Sequence, residues 1–193
     1  MDRRQQKTRD AIFRAFTALL ARKSASAITV QEIIDEANIG RATFYAHFET
    51  KDYLLKALCE ELFAHVLDTA DGHGDGHSHY FSCDAPDSVF LHLLQHLQKN
   101  DNHILELLSC QNNDLFLSYF KANLQSLIRT EARRQGWRFA ADIPEDYAVN
   151  HIAAAFVETV RWWIDCRPER SPDMIADYFR TAVQPLFVSH KEV

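Results

Sequence analysis

Turn-forming residues are scarce in this chain. Five glycines serve 193 residues, and three of them stand together at 72, 74 and 76. Alternating β-branched runs are missing too, so hairpins are not expected and almost the whole chain reads as helix. No apolar stretch approaches the ~20 residues that cross a bilayer. Met1–Arg9 is polar and charged with no apolar segment behind it, which speaks against a secretory signal. The four cysteines, Cys59, Cys83, Cys110 and Cys166, are widely spaced and include no CxxC pair. They read as reduced thiols in a cytoplasmic protein rather than as a disulfide framework. HExxH, a Gly-rich phosphate loop and a nucleophile elbow are all missing, so nothing points to an enzyme or a cofactor.

Hydrophobic residues make up 47% of the chain, enough for a folded core. The net charge of −6 argues at first against a nucleic-acid partner. Its distribution says otherwise. Residues 1–58 carry ten Lys/Arg against seven Asp/Glu, a net of +3, which leaves −9 for the remainder. A basic head on an acidic body suits a local DNA-binding module.

The apolar spacing predicts an amphipathic first helix over residues 3–22, with Ile12, Phe16, Leu19 and Leu20 on one face. Thr29-Val-Gln-Glu32 is a capping box that starts a short second helix. Asn38-Ile39-Gly40 is a tight turn, and Asn and Gly tolerate the left-handed backbone it requires. A third helix covers residues 41–48, and Thr50 caps a long fourth. Further helices are predicted at about 86–99, 102–109, 112–135, 144–166 and 172–188. Gly136 stops one of them behind Arg133 and Arg134.

Two short helices joined by a tight turn, behind a packing helix, make a helix-turn-helix. Its second helix needs apolar anchors on one side and small, polar and basic groups on the other. Phe44 and Phe48 anchor; Arg41, Ala42, Thr43, Tyr45 and His47 are left to face out. The pattern Thr29-Val-x-x-Ile33 … Ala37-Asn-Ile-Gly-Arg41-Ala-Thr43-Phe-Tyr45-x-His47-Phe48-x-x-Lys51-x-x-Leu54-Leu55 resembles the DNA-binding signature of the TetR family. The resemblance covers about residues 7–58. It implies an all-α dimeric repressor: a helix-turn-helix domain over residues 1–49, a ligand-binding and dimerisation bundle over 50–193, and about nine helices in total. It places Arg41, Ala42 and Thr43 near base edges of a near-palindromic operator, and Thr29, Tyr45, His47 and Lys51 on the DNA backbone. Gly40 stands where the family often has a phosphate-binding Ser, and Asn38 where Gly is usual.

In the body, Ile152–Ile164 is apolar almost all round, so both sides of that helix need covering. With the stripe of the last helix it suggests a two-fold interface built on Ala154, Phe156, Trp162, Trp163, Met174 and Tyr178. An unidentified small-molecule effector is assigned to Phe116, Tyr119, Phe120, His151 and Phe156. Arg161-Trp-Trp-Ile … Ser171-Pro-Asp-Met174 is similar to the end of a TetR subgroup that includes regulators of dihydroxyacetone kinase. Ten histidines invite a metal reading. His73, His77, His79 and Cys83, with Asp71 and Asp75, read foremost as a polar Gly-rich loop, with a metal-responsive regulator as an alternative. His92 and His96 read as a solvated face opposite the Phe90/Leu93/Leu94/Leu97 stripe. A second alternative is a TetR-like co-activator that acts through protein contacts.

Overall fold

The computed structural model describes residues 3–70, 88–99, 104–109, 114–140, 142–166 and 169–187. The predicted all-helical architecture is found. Helix α1 runs Arg3–Leu20, α2 Val30–Ala37, α3 Arg41–His47 and α4 Lys51–Ala70. They are followed by α5 Val89–Lys99, α6 Ile104–Ser109, α7 Asp114–Gln135, α8 Glu145–Cys166 and α9 Pro172–Val183. The one β-type pairing among the described residues is an isolated antiparallel bridge, Phe139 to Phe187. Among them, no helix is long and apolar enough to cross a membrane.

Local chemistry sets the boundaries. The capping box at Thr29 is formed, with Glu32 N–H donating to the Thr29 hydroxyl at 3.3 Å and Thr29 N–H donating to the Glu32 carboxylate at 2.9 Å. Helix α2 ends on Asn38, the one non-glycine residue with positive φ among those described (φ 50°, ψ 51°). Ile39 N–H then reaches back to the Ile34 carbonyl at 3.2 Å, which closes the turn. Helix α7 ends the same way: Gly136 takes φ 65° and Trp137 N–H returns to the Ala132 carbonyl at 2.8 Å. Thr50 caps α4 and Ser171 caps α9 ahead of Pro172.

Helix α1 packs on α2 and α3 packs on α2, forming a small basic head. Helix α4 packs on α7 and α5, α7 on α8, and α9 closes over α5 and α8. One apolar core runs through both parts, from Ile12, Phe13 and Phe16 through Leu54, Leu58 and Leu62 to Phe120, Phe156 and Phe179. Cys59 lies in that core, while Cys166 is exposed.

Two expectations about the body are corrected. His92 and His96 do not face solvent: they are 1% and 8% exposed, against α4. Helix α5 is covered by α4 on one side and α9 on the other, so its polar stripe is enclosed as well as its apolar one. Burial, reinforced by neighbouring imidazoles, pulls His92 down to about 4 and His96 to about 3. Phe156 and Trp163, expected between two copies, lie inside the protomer at 0% and 3%. They share the inward phase of α8 with Ile152, Ala153 and Val160, and the Trp163 indole N–H donates to the Arg170 carbonyl at 3.0 Å. The histidines at 73, 77 and 79 and Cys83 lie outside the described residues.

Candidate nucleic-acid interface

Helix α3 is anchored from within. Phe44 and Phe48 are fully buried, their ring centroids 6.1 Å apart, and Phe13 of α1 meets Phe48 at 5.6 Å. With that side fixed, Arg41, Ala42, Thr43, Tyr45 and Ala46 all turn to solvent. Tyr45 is 45% exposed and sets its edge against Phe44 at 5.5 Å rather than entering the core. The Arg41 guanidinium lies 5.8 Å over the Tyr45 ring, so these two side chains stand as a pair on the open face. Gly40 begins the helix in extended conformation with no side-chain cap. A Cβ there would meet Thr43 Oγ1 at 3.6 Å, an ordinary contact, so a larger residue fits.

Thr29 is exposed at the start of α2, beside Glu32. The Lys23 ammonium, then the Thr29 N–H and hydroxyl, hold the Glu32 carboxyl down to about 2. His47 is half-buried next to Phe48, and burial followed by the nearby Arg9 charge pulls it below its ordinary value. Arg9 is itself a hinge between elements. It stacks over Phe13 at 4.9 Å and Phe48 at 5.1 Å and pairs with Glu61 of α4 at 3.1 Å. Sequence reasoning did not find that link, because 52 residues separate the pair and no local pattern signals it.

Lys51 departs most from expectation. Its ammonium donates to the carbonyls of Ala25 at 2.7 Å, Ile28 at 2.8 Å and Ser26 at 3.2 Å. All three of its protons have protein acceptors, so it ties the first turn of α4 to the loop that leads into α2.

Of the five residues assigned to an effector, Phe116, Tyr119 and Phe120 lie together on α7, while His151 and Phe156 come from α8. Phe116 and Phe120 are fully buried core, with Phe63 5.1 Å from Phe120. Tyr119 is partly buried beside them, and His151 is exposed and stacked on Tyr147. Phe156 packs against Phe90 and Phe179, which line a cavity of about 720 Å³ between α5, α7, α8 and α9. Trp137, Ile152, Val183 and Glu131 also line it. Glu131 is 4% exposed and is held by Arg134 at 2.8 Å and Gln135 at 3.0 Å. Of the six interface residues, Ala154, Trp162, Met174 and Tyr178 remain accessible on α8 and α9. Trp162 and Tyr178 meet edge-on at 6.4 Å, and Tyr147 extends the same face of α8 at 59% exposure.

Comparison with known proteins supports the fold and the family. The family described as bacterial regulatory proteins of the tetR family matches residues 12–58, and a TetR-type transcriptional regulator C-terminal region matches residues 84–185. Over 69 residues the chain is 41% identical to YxbF, an uncharacterized HTH-type transcriptional regulator of Bacillus subtilis (strain 168). That match takes in 35% of this chain and 18% of the relative's length. A solved TetR transcriptional regulator from Streptococcus agalactiae 2603V is 34% identical with a TM-score of 0.69, over 94% of this chain and 96% of that one. The dihydroxyacetone kinase operon activator DhaS shares the fold at 21% identity and a TM-score of 0.60, over 94% and 98%. An anchored recognition helix with an open basic face, on a body of the same type throughout, has one reading: the chain belongs to the TetR family of DNA-binding transcriptional regulators.

Proposed function

We propose that this protein is a homodimeric repressor that leaves its operator when a small molecule binds the body. The observation that carries the reading is the open face of α3, where Arg41, Ala42, Thr43 and Tyr45 are presented while Phe44 and Phe48 lock the helix from behind. Arg41, Ala42 and Thr43 meet base edges; Thr29, Tyr45 and His47 meet the DNA backbone. Lys51 serves as a strut rather than a phosphate ligand. Its hold on residues 25–28 makes any shift of α4 a shift of α2 and α3.

Two heads reading a near-palindromic site need a two-fold pair of bodies, with recognition helices about one helical turn (~34–36 Å) apart or slightly more. The exposed stripe of Tyr147, Ala154, Trp162, Met174 and Tyr178 supports α8 and α9 as that junction. The cavity bounded by Phe90, Trp137, Ile152 and Phe179 has the size of an effector pocket and touches α5, which packs on α4. An effector there changes the spacing of the heads and lowers operator affinity.

The test is a binding titration against DNA from upstream of the gene, at several salt concentrations, with wild type, Arg41→Ala and Tyr45→Ala. Saturable, salt-sensitive binding that both variants weaken supports the reading. No binding at low salt, to that DNA or to a random-sequence pool, overturns it in favour of a co-activator acting through protein contacts.

A further inference from the structure

Three imidazoles meet in the seam between α4 and α5. His65 comes from α4; His92 and His96 come from successive turns of α5, the spacing that sets two side chains on one face. All three are buried, at 4%, 1% and 8% exposure. Their ring centroids form a near-equilateral triangle with sides of 5.2 Å (His65–His92), 4.8 Å (His65–His96) and 4.9 Å (His92–His96). One nitrogen from each ring lies within 4.8 Å of the other two.

We propose that His65, His92 and His96 form a binding site for one divalent transition ion of the zinc type, bridging α4 and α5. Tetrahedral zinc with Zn–N bonds of ~2.0–2.1 Å sets its ligand nitrogens about 3.3 Å apart. His92 Nε2 and His96 Nε2 already stand 3.1 Å apart, so small side-chain rotations of His65 complete the triangle. A donor set of imidazole alone selects zinc, nickel, copper or cobalt and rejects magnesium and calcium, which take oxygen ligands. Three protein ligands leave a fourth position for water or a small anion, and the positive charge of Lys99 next to His92 and His96 favours an anion there. A hydrogen-bonded histidine cluster is the competing account. Against it stands the place: aliphatic side chains fill a seam between two helices without the desolvation that three imidazoles impose, and an ion offsets that penalty. The site does not depend on DNA recognition and holds whether or not the protein represses.

The experiment uses the full chain without a polyhistidine tag, stripped with chelator and held at pH 7.5. Zinc and cobalt(II) are titrated in competition with a chromophoric chelator. Four proteins are compared: wild type, His65→Asn, His96→Asn, and a triple variant with Asn at His73, His77 and His79. Expected are one tight ion per chain, a cobalt spectrum of four-coordinate type, and the same behaviour in the triple variant. His65→Asn and His96→Asn weaken binding by roughly 100-fold or more, since even outer-shell changes reach that size. X-ray absorption on the zinc-loaded triple variant then counts three imidazoles, a reading that does not require the seam variants to fold. The proposal is overturned if wild type takes up no ion at stoichiometric concentrations. It is equally overturned if the triple variant alone loses the ion, or if fewer than three imidazoles are counted.

Discussion

Single residues in the turn between α2 and α3 carry more of the interface than their size suggests. Asn38 holds a left-handed backbone that a Cβ disfavours, and its short polar side chain makes this tolerable. Asn38→Ala is expected to lower stability by about 1 kcal/mol in urea unfolding, while Asn38→Gly keeps or raises it. Gly40 has the opposite character: its backbone is extended and a Cβ has room. Gly40→Ser therefore adds a cap for α3 and a hydroxyl towards the phosphate. It is expected to raise stability by about a few tenths of a kcal/mol and tighten operator binding roughly fivefold, the worth of one hydrogen bond of about 1 kcal/mol. These positions were legible in the sequence because caps and turns are local chemistry. Thr29 with Glu32, Asn38 and Gly136 each announce a backbone geometry within four residues. The role of Lys51 was not legible in the same way. A pattern gives a residue's position, but its acceptors lie 23 to 26 residues back, and only the packed loop brings them to the ammonium.

At the scale of elements, α4 links the head to the body. Lys51→Met removes the strut, and loss of hydrogen bonds from a charged donor should lower stability by about 2 kcal/mol. Operator affinity falls with it, yet the slope of log affinity against log salt stays as in wild type; a phosphate contact would reduce that slope by about 1. Helix α2 responds to pH through its cap. The Glu32 carboxyl sits below its ordinary value, so its contribution is complete above pH 4.5 and is lost as pH falls from there through about 2. Amide exchange at the start of α2 should accelerate across that window in wild type and show no such step in Glu32→Gln. Helix α5 shows where periodicity misleads. An apolar stripe tells which face meets one neighbour but not whether a second neighbour covers the opposite face. The histidine pair was assigned to solvent for that reason, and His65 gave no signal because nothing in sequence pairs it with residues 27 and 31 positions on. The aromatic residues of α7 show the limit of spacing in a related way: Phe116 and Phe120 are fully buried, while a cavity beside α9 is lined by other residues.

For the whole molecule, the charge asymmetry between residues 1–58 and the remainder matches a basic head that meets DNA and an acidic body that stands off it. The exposed Trp162 and Tyr178 belong to the proposed two-fold junction. Trp162→Glu with Tyr178→Glu should halve the mass seen by light scattering and leave the helical circular dichroism of each chain unchanged. Operator affinity should then drop by on the order of 100-fold, because the second head no longer binds as part of the same particle. The continuous core and the Lys51 strut also bear on recombination among relatives. Leu55 shares a crevice with Phe16 and Ala25, and Lys51 holds the loop between α1 and α2, so the first two turns of α4 serve the head. A chimera spliced after residue 49 inherits the head without Lys51 and Leu55, which tie its α1–α2 loop to α4. One spliced after residue 61 carries Lys51, Leu55 and Glu61 with the head and leaves His65 with the body that supplies His92 and His96.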